Sequence, residues 1–287
     1  MAVKFIVDSA SDILPEEAKS MGITRISMKV SFGSEEYADG IELNHTQFYE
    51  KLAEADELPR TSQIPPIEFA ETYESLLGDG DELVVITMSG KLSGTYQSAV
   101  LATQDYEGRV FVVDSENATL GERILVERGL ELAKQGMSAK EIASTLDEEK
   151  KQVRLIALLD TLEYLKKGGR ISGTVAFVGG MLSIKPVVAV EEGEVKQVGK
   201  ARGSKQGNNL LRELIAKCGG VNFDMPYALA YSGSSDELLR KYISDHKEIY
   251  EGRIKEDELP IHTVGSTIGT HVGPGAIAVS FFEKKQQ

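Results

Sequence analysis

Ser89, Gly90, Ser93, Gly94 and Thr95 fall within one short stretch, and Thr61-Ser62-Gln63 and His271 are further groups able to do chemistry. The stretch 83–106, LVVITMSGKLSGTYQSAVLATQDY, turns from an apolar run into a hydroxyl- and glycine-rich corner and then into helical spacing at Tyr96, Ala99, Val100 and Thr103. It reads as strand, loop, helix. Small residues there leave backbone N–H groups open at a helix N-terminus, which suits an anion.

Several familiar chemistries fail at this corner. A Walker loop needs GxxxxGK followed by Ser or Thr, but Leu92 follows Gly90-Lys91 and position 85 is Val. The glycines are four apart, so the GxGxxG dinucleotide fingerprint is absent. Lys91 stands where a GxSxG nucleophile elbow needs its first glycine. The hydroxyls therefore read as binding groups, with Ser93 as a plain helix cap the competing reading. His45, His246 and His262 show no spacing that suggests a metal or a triad. After His271, Gly273-Pro274-Gly275 offers little side-chain cover, which predicts an imidazole exposed at a surface.

The elements that must position these groups are legible as runs. KFIVD at 4–8 predicts a first strand, Pro15-Glu16-Glu17 opens a helix, and 23–32 alternates as one strand. A helix follows Asn44 or His45. The proline-bounded 59–66 reads as a loop, and 68–77 as a helix. Strands at 83–87 and 110–114 and helices at 118–135 and 138–150 follow. Strand-helix alternation predicts a mostly parallel sheet with ligands at the carboxyl ends of its strands. From 153 a second set begins, with a helix over 161–167 stopped at Gly168-Gly169 and a hairpin turning at Glu192-Gly193. Helices at 204–218 and 235–250 and strands at 227–231, 261–264 and 276–281 complete it. The expected organisation is an N-terminal α/β domain, 1–152, with the hydroxyl loops. A C-terminal α+β domain, 153–287, carries the His271 loop.

Composition narrows the function classes. With 287 residues, 41% hydrophobic, and 28 Gly, the chain suits a compact two-domain α/β protein. The start is too short in apolar residues for a signal-peptide core, and 171–183 is too short to span a membrane. Its one cysteine, Cys218, excludes an internal disulfide, argues against a zinc site and points to the cytoplasm. A net charge of −13 disfavours nucleic acid and anionic lipid surfaces. The window 161–210 nevertheless carries eight Lys/Arg against four Glu, hence +4, leaving −17 elsewhere. That reversal reads as a solvated face or as a seat for an acidic partner surface.

In this order, Val7-Asp8-Ser9, Thr61-Ser62-Gln63, Ser93 to Ala99 (SGTYQSA), Tyr164 to Ile171 (YLKKGGRI), Ile184-Lys185-Pro186 and Gly269 to Ala276 (GTHVGPGA) resemble the DegV family over the whole chain. These are bacterial fatty-acid-binding proteins whose characterised members are B subunits of fatty acid kinase. The resemblance implies a two-domain DegV-like fold that sequesters one long-chain fatty acid between its lobes. It implies a non-catalytic subunit without a cofactor. A separate ATP-dependent kinase subunit phosphorylates the bound acid to acyl phosphate for phospholipid synthesis, and transient membrane contact fits such a carrier. Carried over by residue, the carboxylate contacts fall on Thr61, Ser62, Ser93, Gly94 and Thr95 with His271 nearby, and the kinase coupling positions on Arg170 and Arg202.

Bottom-up chemistry runs parallel to those roles. Two hydroxyls and helix N–H groups hold a carboxylate without neutralising it, which keeps an oxygen nucleophilic toward a phosphoryl group. The small residues of 173–180 let an acyl chain lie against backbone or let helices pack closely. At ~0.8 kcal/mol per buried CH₂, a chain of ~16 carbons contributes on the order of 12 kcal/mol gross, so retention needs no strong polar contact. Two other readings stay open: a Ser93/His271 acyl hydrolase, and a sensor or carrier of another acyl lipid without a kinase partner.

Overall fold

A computed structural model of the protein describes residues 2–171 and 184–284. The apolar run β1 (Val3–Asp8) ends at Asp8, whose carboxylate accepts from Ala10 N and caps the 3-10 turn Ser9–Ser11. Then come α1 (Pro15–Met21), β2 (Thr24–Ile26), β3 (Lys29–Phe32), β4 (Glu35–Ala38), α2 (His45–Glu54), β5 (Arg60–Ser62) and α3 (Pro66–Leu76). The hydroxyl corner joins β6 (Glu82–Thr87) to α4 (Thr95–Leu101), and β7 (Val110–Asp114), α5 (Leu120–Lys134) and α6 (Ala139–Glu149) follow. The second half holds β8 (Val153–Leu158), α7 (Glu163–Gly168), β9 (Ile184–Glu191), β10 (Glu194–Arg202) and α8 (Gly203–Lys217). It ends with β11 (Tyr227–Tyr231), α9 (Glu237–Asp245), β12 (Ile261–Thr263), α10 (Ser266–Val272) and β13 (Ile277–Phe282).

The fold is mixed α/β. A four-stranded sheet, β2-β1-β6-β7, is parallel throughout. A six-stranded mixed sheet runs β10-β9-β8-β13-β11-β12, parallel only between β11 and β12. Between the two lies α5, which touches β6 on one side and β8, β11 and β13 on the other. The alternation of β8 shows the layering. Leu155 joins the cluster of Phe5, Ile86 and Ile124, whereas Ile156 and Leu158 join Leu211 and Ile215 of α8 on the far face. No described helix is long and apolar enough to cross a membrane.

Three expectations need correction. The alternating stretch 23–32 is two strands in two sheets: β2 pairs with β1, and β3 lies between β4 and β5 in a three-stranded antiparallel sheet. The chain breaks at Met28, whose N–H donates to Ser9 Oγ at 2.9 Å instead of to a strand. The expected loop 59–66 contains β5, a strand too short for periodicity to reveal. The helix expected over 235–250 stops at Asp245, because His246 leaves helical geometry at φ −131 before a 3-10 turn. The small-residue stretch 173–180 lies outside the described residues.

Candidate ligand site

The carboxyl ends of β6 and β7 and the inner face of the six-stranded sheet line a slot. This is the edge at which parallel sheets gather ligands. Leu155 and Ala157 of β8, Val188 and Val190 of β9, and Ala276 and Ala278 beside and on β13 line its walls. Among the described residues its polar lining is Thr61, Ser93, Thr119, Arg170, Thr267 and His271.

The head-group candidates come from three places in the fold: β5, the corner between β6 and α4, and α10. Thr61 stands on β5, opposite Val30 of β3. Its hydroxyl meets His271 Nε2 at 2.9 Å, and the proton's direction follows from the imidazole tautomer. His271 is in the last turn of α10, not in a loop, and its ring is largely buried, which corrects the expected exposed imidazole. The cover comes from backbone: a Cβ on Gly168 would lie 2.3 Å from His271 Nδ1, a buried atom without a hydrogen-bond partner among the described residues. Burial, and then the Arg170 guanidinium, push the imidazole down to about 4. It is neutral at pH 7, so one ring nitrogen carries a proton and the other is bare.

Ser93 Oγ shares a 2.9 Å hydrogen bond with Thr95 Oγ1 and accepts from Thr95 N at 3.3 Å. Lys91 N donates to Ser89 Oγ at 3.2 Å, so the corner satisfies part of its own amide set. Arg170 is exposed, lines the slot and donates to Leu92 O at 3.3 Å, next to Ser93 in the chain, and to Gly168 O.

The structure thus gathers Thr61, Ser93, Arg170 and His271. It does not bring Ser62, Gly94 or Thr95 to the lining: Ser62 points to solvent, and Thr95 is buried with its hydroxyl receiving Ile64 N at 3.4 Å. Arg202 is exposed at the end of β10, outside the lining. Asp12, Arg25, Asp39 and Glu122, charged groups buried beside the site, carried no sequence signal: Asp39-Gly40 reads as a surface turn, and Glu122 as the first turn of a helix. Burial, together with the charges of Asp8 and Asp12, holds Glu122 well above the usual carboxylate range.

The DegV family model matches residues 2–284. The chain belongs to the DegV family. A DegV domain-containing protein of Deinococcus radiodurans is 34% identical over 285 residues, covering 98% of each chain. Among solved structures, a Thermus thermophilus DegV family protein described by its fatty acid binding matches with TM-score 0.87 and 32% identity over 99% of this chain and 100% of its own. DegV of Bacillus subtilis, described as a fatty acid binding protein, matches with TM-score 0.82 and 30% identity over the same shares. The DegV fold accounts for the parallel first sheet, the mixed second sheet and the slot between them.

Proposed function

We propose that this DegV family chain is a non-catalytic carrier that holds one long-chain fatty acid in the slot. It presents the carboxylate to a separate ATP-dependent kinase subunit in the cytoplasm. The observation that carries this reading is the lining of the slot, in which aliphatic walls meet a small polar set of four hydroxyl residues, one neutral imidazole and one arginine. The similarity to fatty acid binding proteins over nearly the whole chain supports it. In this reading Thr61 and Ser93 donate to the carboxylate while leaving it anionic. One of its oxygens then attacks the γ-phosphorus of ATP on the partner, the bond to the β,γ-bridging oxygen breaks, and ADP leaves as acyl phosphate forms.

The hydrolase reading loses its geometric basis. His271 Nε2 pairs with Thr61, Ser93 pairs with Thr95, and no Ser93–His271 hydrogen bond occurs among the described residues. Native mass spectrometry of protein purified from cells tests the carrier reading. The expected result is a mass increment equal to one long-chain fatty acid, released on denaturation. Bare protein that hydrolyses esters, with turnover abolished by Ser93→Ala, would overturn it.

A further inference from the structure

We infer that Asp39 is a positioning residue for the head-group site: it ties the first turn of α10 to the three-stranded sheet and thereby sets His271 against Thr61. Asp39 follows β4 and is 1% exposed. Its carboxylate accepts from Ser266 N at 3.2 Å, from Thr267 Oγ1 at 2.7 Å and from Ser266 Oγ. All three donors belong to the first turn of α10, and His271 sits in its last turn. Thr61 is carried by β5 of the same sheet to which Asp39 is attached, since β3 pairs with both β4 and β5. Helix and sheet are therefore joined twice, by Asp39 at one end of α10 and by the Thr61–His271 hydrogen bond at the other.

The surroundings make this joint stiff. Asp12 Oδ1 accepts from Gly265 N at 2.8 Å, immediately before α10. A Cβ on Gly265 would meet His45 Nε2 at 2.6 Å and Asp12 Oδ1 at 2.9 Å, so the backbone has no slack there. Arg25 donates to Asp39 O at 3.0 Å and lies 4.0 Å from Asp39 Oδ2, supplying a cation to a carboxylate that is otherwise cut off from water. A short helix behaves as a rigid rod over this span, so a shift at Ser266 is delivered to the imidazole. Removing the joint frees α10 to tilt and leaves Thr61 and His271 at independent positions.

The consequence for ligand retention rests on the fatty-acid-carrier reading; the consequence for the imidazole does not. Ser266→Ala removes one hydroxyl donor and leaves the Asp39–Arg25 contact intact, and Asp39→Asn replaces one acceptor oxygen by an NH₂ donor that faces the donors of either Ser266 or Thr267. Both would be made in the full chain. Three quantities would be read: the titration and tautomer of His271 by nitrogen-15 NMR, the dissociation rate of bound palmitate, and the melting temperature. We expect the His271 titration to move up from about 4 toward the ordinary histidine range, and palmitate to leave roughly tenfold faster, the loss of one hydrogen bond to a buried carboxylate. A lowered melting temperature with the His271 titration, tautomer and palmitate rate of the wild type would overturn the inference, because a merely structural Asp39 affects stability alone. If Asp39→Asn does not fold because Arg25 is left uncompensated, Ser266→Ala decides the matter by itself. If wild-type protein does not retain palmitate, the carrier reading falls while the imidazole spectra still decide the role of Asp39.

Discussion

At the scale of the residue, His271 is the group whose chemistry is most altered by the fold. Its folded pKa of about 4 lies below the ordinary 6.5 because burial, and then Arg170, oppose the imidazolium. A base depressed in the folded state contributes stability that is present above pH ~6.5 and is lost as the pH falls toward ~4. Asp8 and Asp12, raised by burial to about 6 and about 7, have the opposite sign: their contribution is full below the ordinary carboxylate range and is lost as the pH rises through those values. These acids are common to wild type and a His271→Gln variant, so their effect cancels in a comparison. Thermal denaturation should show the wild type more stable than His271→Gln by a margin that shrinks between pH 7 and pH 5. A margin that grows on acidification would mean that the imidazole accepts its proton in the folded protein.

At the scale of the element, the β9–β10 hairpin forms one wall of the slot through Val188, Val190 and Val195. Its two-residue turn has Glu192 at φ 51 and Gly193 at φ 80, the pair of left-handed residues that matches the twist of a hairpin. The tip is tied to the hydroxyl corner, for Ser89 Oγ donates to Gly193 O at 2.7 Å. A Cβ on Gly193 would lie 2.6 Å from that same hydroxyl. Gly193→Ala therefore carries both a left-handed backbone penalty of about 1 kcal/mol and a push on the tie. The expected outcome is a melting temperature lower by roughly 2–4 °C in calorimetry, together with faster exchange of labelled palmitate. Exchange at the wild-type rate would show that the hairpin tip does not guard the slot.

At the scale of the whole molecule, charge separates the two kinds of surface. The chain carries −13, yet an exposed Arg170 lines the slot and an exposed Arg202 stands at the end of β10. Part of the basic window is neutralised locally: Lys167 pairs with Glu163, Lys185 with Asp160 and Lys196 with Glu191. The two arginines have no such carboxylate among the described residues, which leaves them available to an acidic partner surface. Arg170→Ala and Arg202→Ala should lower the kinase-dependent rate of acyl phosphate formation while native mass spectrometry still finds the acid bound. Added salt should weaken the wild-type complex in the same assay. Salt-independent association, or loss of the acid from both variants, would remove these residues from docking.

The sequence by itself determined the elements whose signals are local. The strands β1, β6 and β7 are apolar runs closed by Asp or Thr, and an amino-acid run of that kind reads as a buried parallel strand without reference to its neighbours. The α7 stop at Gly169, φ 69, and the Glu192-Gly193 hairpin turn were legible for the same reason. Thr61, Ser93 and His271 could be picked out as chemistry, but their mutual arrangement could not. Thr61 and His271 meet across 210 residues of chain, through a strand of three residues and a helix of seven whose signals are too short for periodicity to register. Tertiary structure alone turned Ser62 outward while Thr61 turned inward, since adjacent strand residues face opposite sides and only the partner strand says which side is the slot. It alone buried Asp12 and Asp39, because a charged side chain is tolerated in the interior only where other parts of the chain supply its hydrogen bonds, and the donors to these two carboxylates, Gly265 to Thr267, lie more than two hundred residues away.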